Sequence, residues 1–320
     1  MTMTFGLPIA QAGTVSYIDL SQCASLANRR FYRQGINWAV AGFKIVAQSG
    51  QTGELTVSKL PNTWVMANSW EKSMRAWMKM NREAISETQS VRPRFLDYKI
   101  YADNLHHAAG FSANLLPAGH VAGEWESSKV HIPETTSPVG IATDLELIAV
   151  GASYPGVSAA TGKDAVSLIE GYAASRALPD IADPNLPEDL RNAYGATPEN
   201  WLTAMFNDAT EQDADVLRDM IYENNQAPYP FEDDGVHIDT MYPGGANNAA
   251  GMQPHDITNF TGTSIGSISR LKGGNFPCGL IRFDAVNWNL GPGEESSLLL
   301  MIDLVPGPHR GYLCESMTEM

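Results

Sequence analysis

The most regular pattern along the chain is a stripe. In WVMANSWEKSMRAWMKMNREAISE (64–87), Trp70, Met74, Trp77, Met78 and Asn81 fall at i, i+4, i+7, i+8 and i+11, the spacing of one helix face. Asn68 followed by Glu71 resembles a capping box, and Glu71, Lys72, Arg75, Lys79 and Arg82 take the other faces. The spacing predicts a helix over 64–87. A Trp/Met stripe at this period fills a core more often than it lines a ligand site.

Elsewhere the pattern alternates or runs apolar in short bursts. GINWAVAGFKIVAQSG (35–50) and ELTVSKL (54–60) read as two strands joined by the turn Gln51-Thr52-Gly53. In RFLDYKIYAD (94–103), Phe95, Asp97, Lys99 and Tyr101 alternate against Leu96, Tyr98, Ile100 and Ala102, again a strand. Further strands are expected in GEWESSKVHIP (123–133), TDLELIAVGAS (143–153), HDITNFTGTSIGSISRLKG (255–273), CGLIRFDAVNW (278–288) and SLLLMIDLV (297–305). Two more helices are expected at 162–178 and 197–225. The second opens with Thr197 as N-cap, Pro198 at the first helical position and Glu199 in the first turn. Residues 1–20 read as a loose arm, with the arm as a whole taken over 1–34, and 226–254 is a Pro/Gly/Asn-rich loop.

Strands spaced irregularly, with helices inside long connections and no regular βαβ alternation, exclude a parallel doubly wound sheet. The expected fold is mainly β: an antiparallel jelly-roll sandwich over 35–320 with α-helical insertions in its long loops. A single roll is preferred, and a double jelly roll is the alternative.

Composition narrows the class. The chain has 320 residues, 43% of them hydrophobic, enough for a sizeable core. No stretch reaches the roughly 18 uninterrupted apolar residues of a membrane helix. The start, MTMTFGLPIAQAG, has no basic n-region and no long apolar h-region, so no secretory signal is expected. Three scattered cysteines, Cys23, Cys278 and Cys314, point to reduced thiols in a protein made inside a cell. The net charge of −15 is split: residues 1–100 hold 12 Lys+Arg against 6 Asp+Glu, while the rest is strongly acidic. An acidic chain repels phosphate on average, but its basic first third can face something anionic.

Several groups could carry chemistry. Gly262-Thr263-Ser264-Ile265-Gly266 matches G-x-S-x-G, with Asp284, Asp303 and His309 downstream in hydrolase order. That chemistry needs Ser264 on a tight strand-to-helix turn, whereas residues 265–279 are β-like and broken by glycine. A serine hydrolase using Ser264 and His309 is therefore the alternative reading, and the expectation is no enzyme and no catalytic residue. The histidines show no metal spacing: His106 and His107 are adjacent and diverge, and the other five are isolated. No metal and no cofactor are expected. Carboxylates cluster at Asp180/Asp183, Glu188/Asp189 and 231–239 without an EF-hand pattern, so a solvated acidic face is expected there rather than Ca²⁺. NRRFYRQ (28–34) sets Arg29, Arg30 and Arg33 among Phe31 and Tyr32. It reads either as a nucleic-acid contact or as an arm pinned by its aromatics with arginine at the rim. Near the C-terminus, Pro306-Gly307-Pro308 stops a strand and presents His309 and Arg310, a rigid corner suited to touching a neighbouring copy. A non-catalytic carbohydrate-binding jelly roll, with Trp125, Trp201 or Trp288 as stacking platforms, is a third reading.

Five stretches, taken together, resemble the coat proteins of small circular single-stranded DNA viruses of the kind known from environmental surveys. They are NRRFYRQGINWAVAGFKI (28–45), LPNTWVMANSWEKSMRAWMKMN (60–81), RPRFLDYKIYADNLHHAAGF (92–111), GGNFPCGLIRFD (273–284) and LVPGPHRGYL (304–313). They span nearly the whole chain in order and carry no chemical signature. The resemblance implies an antiparallel jelly roll that self-assembles into an icosahedral shell in a virion, made in the host cytoplasm or nucleus. It implies as partners further copies of the chain and the packaged single-stranded DNA, with minor virion proteins or an internal membrane as further partners. Many such proteins open on a long arginine-rich arm. This sequence lacks one, so the resemblance does not carry genome condensation over to residues 1–34.

Overall fold

The computed structural model describes residues 1–87, 90, 96–121, 125–133, 142–177, 201–205, 251–261 and 267–320. The chain divides into two compact units. Unit 1 comprises Met1–Asn62, Phe111–Trp125 and Met252–Met320; unit 2 comprises Thr63–Gly110 and Glu126–Gly251.

Unit 1 holds a five-stranded and a four-stranded antiparallel sheet. Its long strands are β1 (Thr2–Ala10), β2 (Thr14–Asp19), β3 (Ile36–Val46), β4 (Gly53–Lys59), β8 (Gln253–Phe260), β9 (Ile268–Phe276), β10 (Leu280–Val286) and β11 (Glu295–Leu304). One sheet runs β1-β11-β3-β9 and the other β2-β10-β4-β8. Near the C-terminus β12 (Pro306–Gly307) and β13 (Gly311–Tyr312) form a tight hairpin, and β14 (Cys314–Ser316) pairs with the start of β3. The strands alternate as sequence logic requires. Met3, Phe5, Leu7 and Ile9 point inward from β1, and Leu298, Leu300, Ile302 and Leu304 point inward from β11. The inner faces of both sheets share one core. Phe43 of β3 meets Phe276 edge-on at 5.5 Å and Phe283 of the other sheet at 6.0 Å. Fully burying each such side chain contributes roughly 1.5–3 kcal/mol.

Helix α1 (Leu20–Asn28) follows β2 directly, because Asp19 caps it. The fully buried Asp19 Oδ1 accepts the backbone N–H groups of Ser21 at 2.8 Å and Gln22 at 3.3 Å. Its Oδ2 accepts Trp125 Nε1 at 2.7 Å and Gln34 Nε2 at 3.3 Å. One carboxylate thus ties β2, α1, the segment before β3 and the 111–125 segment together. That segment lies along β1 and β2: Ala118 N donates to Thr4 O, and Leu115 N to Tyr17 O.

Unit 2 is built from α2 (Trp64–Glu87), α3 (Asn104–Ala109), β5 (Lys129–Pro133), β6 (Ala142–Ile148), β7 (Ala165–Ser167), α4 (Leu168–Ala177) and α5 (Trp201–Ala204). Its sheet runs β5-β6-β7, antiparallel between the first two and parallel between the last two. Of the α2 stripe, Trp70 and Trp77 are buried and flank the Tyr98 ring at 5.9 and 5.4 Å, while Met74, Met78 and Asn81 are half-buried. Gly171 of α4 lets the Trp201 indole lie against the helix; a Cβ there would stand 2.2 Å from Nε1.

Four expectations are corrected. Residues 1–20 are not a loose arm: β1 and β2 lie inside the two sheets, and Gly6 and Pro8, poor strand formers, fall on the outward face of β1. The single domain expected over 35–320 gives way to two units, and strands β5 and β6 belong to the sheet of unit 2. The strand expected over 255–273 is two strands in different sheets, β8 and β9. The helix expected over 162–178 starts at Leu168, after β7 takes residues 165–167; of the helix expected over 197–225, only 201–205 are described.

Candidate nucleic-acid and intersubunit interface

Helix α1 ends where Arg29 turns left-handed, with φ 52° and its N–H on Ser25 O. Arg30 N also reaches Ser25 O, at 3.3 Å. Arg29, Arg30 and Arg33 are exposed, while Tyr32 between them is buried and anchored by its N–H on Ser25 Oγ at 3.0 Å. Cations just past a helix C-terminus also complement its negative dipole end. Among the described residues no carboxylate stands within ion-pair distance of these three guanidinium groups.

The second predicted group arrives from the far end of the chain. His309 and Tyr312 exchange two backbone hydrogen bonds, of 2.9 and 3.0 Å, across Arg310-Gly311. Both central residues have positive φ, 53° and 104°. This is the backbone sense of a tight hairpin turn, normally given to Asn or Gly, so Arg310 occupies a strained position. Arg310 Nη1 donates to Phe31 O, its guanidinium lies over the Tyr32 ring at 5.8 Å, and Tyr32 Oη donates back to Arg310 O at 3.3 Å. Tyr32, Trp38 and Tyr312 form an aromatic triangle with centroids 5.5–5.9 Å apart, and Asn28 Nδ2 donates to Tyr312 Oη at 2.6 Å.

The two sets of residues singled out from sequence, Arg29/Arg30/Arg33 and His309/Arg310, therefore belong to one corner of unit 1. Within its own chain Arg310 is held by Phe31 and Tyr32. Sequence reasoning missed Trp38 and Tyr312, the two rings that lock the corner. Only their place inside the quoted similarity stretches hints at them. The charge of the corner comes from its arginines. Burial pushes the His309 imidazole below its ordinary value and the neighbouring Arg310 pushes it further, so His309 is neutral at pH 7. Burial also raises the Tyr312 phenol, against the hydrogen bond from Asn28. Exposed guanidinium forks without carboxylate partners can take phosphate or carboxylate oxygens two at a time.

The other readings fare differently. Ser264 lies outside the described residues, as do the acidic clusters at 180–189 and 231–239. The described strands of unit 1 pair antiparallel throughout, unlike a hydrolase sheet. The three tryptophans offered as sugar platforms are buried: Trp125 on Asp19, Trp201 on Ser167 O at 2.8 Å, and Trp288 against Phe260 at 5.5 Å. Rings so enclosed present no open face to a sugar. Adjacent His106 and His107 are both buried and both pack edge-on against the Tyr101 ring, at 5.0 and 5.1 Å. His106 Nδ1 accepts Ala102 N at 3.0 Å, and His107 Nε2 pairs with the fully buried Glu146 at 2.8 Å. Burial works to raise the Glu146 carboxyl, but hydrogen bonds from His107 and Ser127 hold it below the usual range. Among the described residues no cluster of His, Cys, Asp or Glu is placed to hold a metal ion, and no helix is long and apolar enough to cross a membrane.

No protein-family model, curated protein or solved structure matches the chain.

Proposed function

We propose that unit 1 is a jelly roll and that the chain is a viral coat protein, assembling with its own copies into an icosahedral shell around a DNA genome. The observation that carries this reading is the pairing order. Four antiparallel pairs nest in chain order: β1 with β11, β2 with β10, β3 with β9, and β4 with β8. Alternate pairs fall in opposite sheets. A long hairpin of four strand pairs, wrapped over on itself, produces that arrangement, which is the jelly-roll winding. Unit 2 then lies, in chain order, within the turn of that hairpin between β4 and β8.

Lectin domains and cupins share the winding, so the fold alone does not select a coat protein. Two features favour it. The five stretches similar to single-stranded DNA virus coat proteins include both halves of the basic corner, 28–45 and 304–313. The corner also offers guanidinium groups, without carboxylate partners among the described residues, on a rigid aromatic base. Such groups suit phosphate or a neighbouring copy. In a shell the chain acts by contact: weak identical contacts, repeated many times, make a closed assembly cooperative.

The test is to express the full chain and sediment it, with light scattering and a nuclease-protection assay on any co-purified DNA. The expected result is a fast-sedimenting, closed species that shields DNA. A chain that stays a 34.7 kDa monomer at high concentration, in every salt and pH tried, overturns the reading.

A further inference from the structure

The outer face of the β1-β11-β3-β9 sheet carries two unlike rows. The cross-strand register sets Gly6, Leu299, Val46 and Ile268 side by side in one, and Thr4, Met301, Lys44 and Arg270 in the next. Lys272, opposite Gly42, continues the basic side. Ile268 is 46% exposed and Leu299 42%, large apolar side chains left in water on a regular sheet. Lys44 and Arg270 stand directly opposite each other, a like-charge pair that weakens a sheet. Among the described residues no carboxylate stands within ion-pair distance of Lys44, Arg270 or Lys272, although Asp256 is close enough to Lys272 to feel its charge. The nearby acids are engaged elsewhere: Asp303 accepts Thr2 Oγ1, and Asp256 accepts the backbone N–H groups of Ile257 and Lys272.

We propose that this face docks the acidic unit 2 of a second copy of the chain; the proposal rests on the coat-protein reading. Charge complementarity selects the occupant. Unit 1 is nearly balanced, with 9 Lys+Arg against 10 Asp+Glu, whereas unit 2 holds 12 against 26. The apolar row favours a protein surface over a bare phosphate backbone, because it has no aromatic ring on which a base could stack. At about 4.8 Å between strands the row is roughly 15 Å wide, so the patch covers a few hundred Å² at most. That is well below a standard interface of about 800 Å² per partner. The contact is therefore weak singly, salt-sensitive, and effective only by repetition.

The test uses three full-length variants: Lys44→Glu, the double Lys44→Glu/Arg270→Glu, and Leu299→Ser. Lys44→Glu turns the like-charge pair into an opposite-charge pair, so its melting temperature is expected to hold or rise while assembly weakens, a combination that misfolding cannot produce. The double variant is expected to need roughly tenfold or more protein to assemble, since it sets carboxylates against the acidic unit 2. Carbodiimide cross-linking of mixed light- and heavy-nitrogen chains is expected to join Lys44 or Lys272 to unit 2 carboxylates between copies. Wild-type and double-variant chains that assemble at the same concentration overturn the proposal and leave the coat reading standing. So does a double variant that loses DNA or anionic-vesicle binding but assembles normally. A wild-type chain that never assembles overturns both.

Discussion

Removing the Asp19 carboxylate is expected to destabilise unit 1 by about 3–4 kcal/mol. In Asp19→Ala the α1 cap is lost, worth about 1 kcal/mol. The buried donors Trp125 Nε1 and Gln34 Nε2, now 2.7 and 3.3 Å from Oδ2, are left without their acceptor, at about 1–3 kcal/mol each. Part of this is offset because a buried charge no longer has to be desolvated. Asp19→Asn keeps Oδ1 for the cap but turns an NH₂ group toward two donors, and should cost about 2 kcal/mol. Trp125→Phe removes one stranded donor, so Asp19→Ala/Trp125→Phe should be less destabilised than the two single variants summed, by about 1 kcal/mol or more. The assay is urea unfolding of each full-length variant, with hydrogen exchange to assign the loss to the strands of unit 1. Asp19→Ala within about 1 kcal/mol of wild type, or additive behaviour with Trp125→Phe, would refute the idea that this carboxylate organises the start of the fold.

Glu146→Ala strands His107 in the core of unit 2 and should cost roughly 3–5 kcal/mol there, with hydrogen exchange rising over β5 and β6 and not over β1. In the wild type, the folded Glu146 carboxyl lies below its unfolded value of 4.5, so its stabilisation is present above that pH and is lost as pH falls below it; Glu146→Gln should flatten this acid limb in a melting-temperature series. His309 acts in the same sense over a higher pH window: its folded value lies below 6.5, so the folded state resists protonation and stability should rise as pH climbs toward 6.5, a slope that His309→Gln removes. Burial pushes the Cys314 thiol up to about 12, and those of Cys23 and Cys278 well above 9.0. Ellman's reagent at mildly alkaline pH should therefore label Cys23 and Cys278 only after denaturation and the half-buried Cys314 slowly, and prompt labelling of Cys23 or Cys278 in the native chain would contradict their burial.

How much of each element the sequence discloses depends on the range of its signal. Helix α2 is legible because a 24-residue element repeats its Trp/Met stripe over several turns. Helices α1 and α3 are nine and six residues long, too short for periodicity to speak. The inward alternation of Met3, Phe5, Leu7 and Ile9 is readable in β1, but Gly6 and Pro8 in the outward positions disguise it; an edge strand tolerates both. The nested pairing that supports the jelly roll is invisible to local pattern. Asp303 is the register partner of Thr2, and no periodicity encodes a partner so far along the chain. The basic corner is half legible for the same reason. The two arginine groups stand out by composition, whereas their union depends on Tyr32, Trp38 and Tyr312 closing on one another in three dimensions.

Electron cryomicroscopy of the purified, full-length chain tests the central claim most directly. The account predicts closed icosahedral particles whose repeating block contains two facing sheets whose long strands run in the orders β1-β11-β3-β9 and β2-β10-β4-β8, with Arg29, Arg30, Arg33 and Arg310 against nucleic acid or a neighbouring copy. Dispersed monomers, or particles in which those arginines face only solvent, would contradict it.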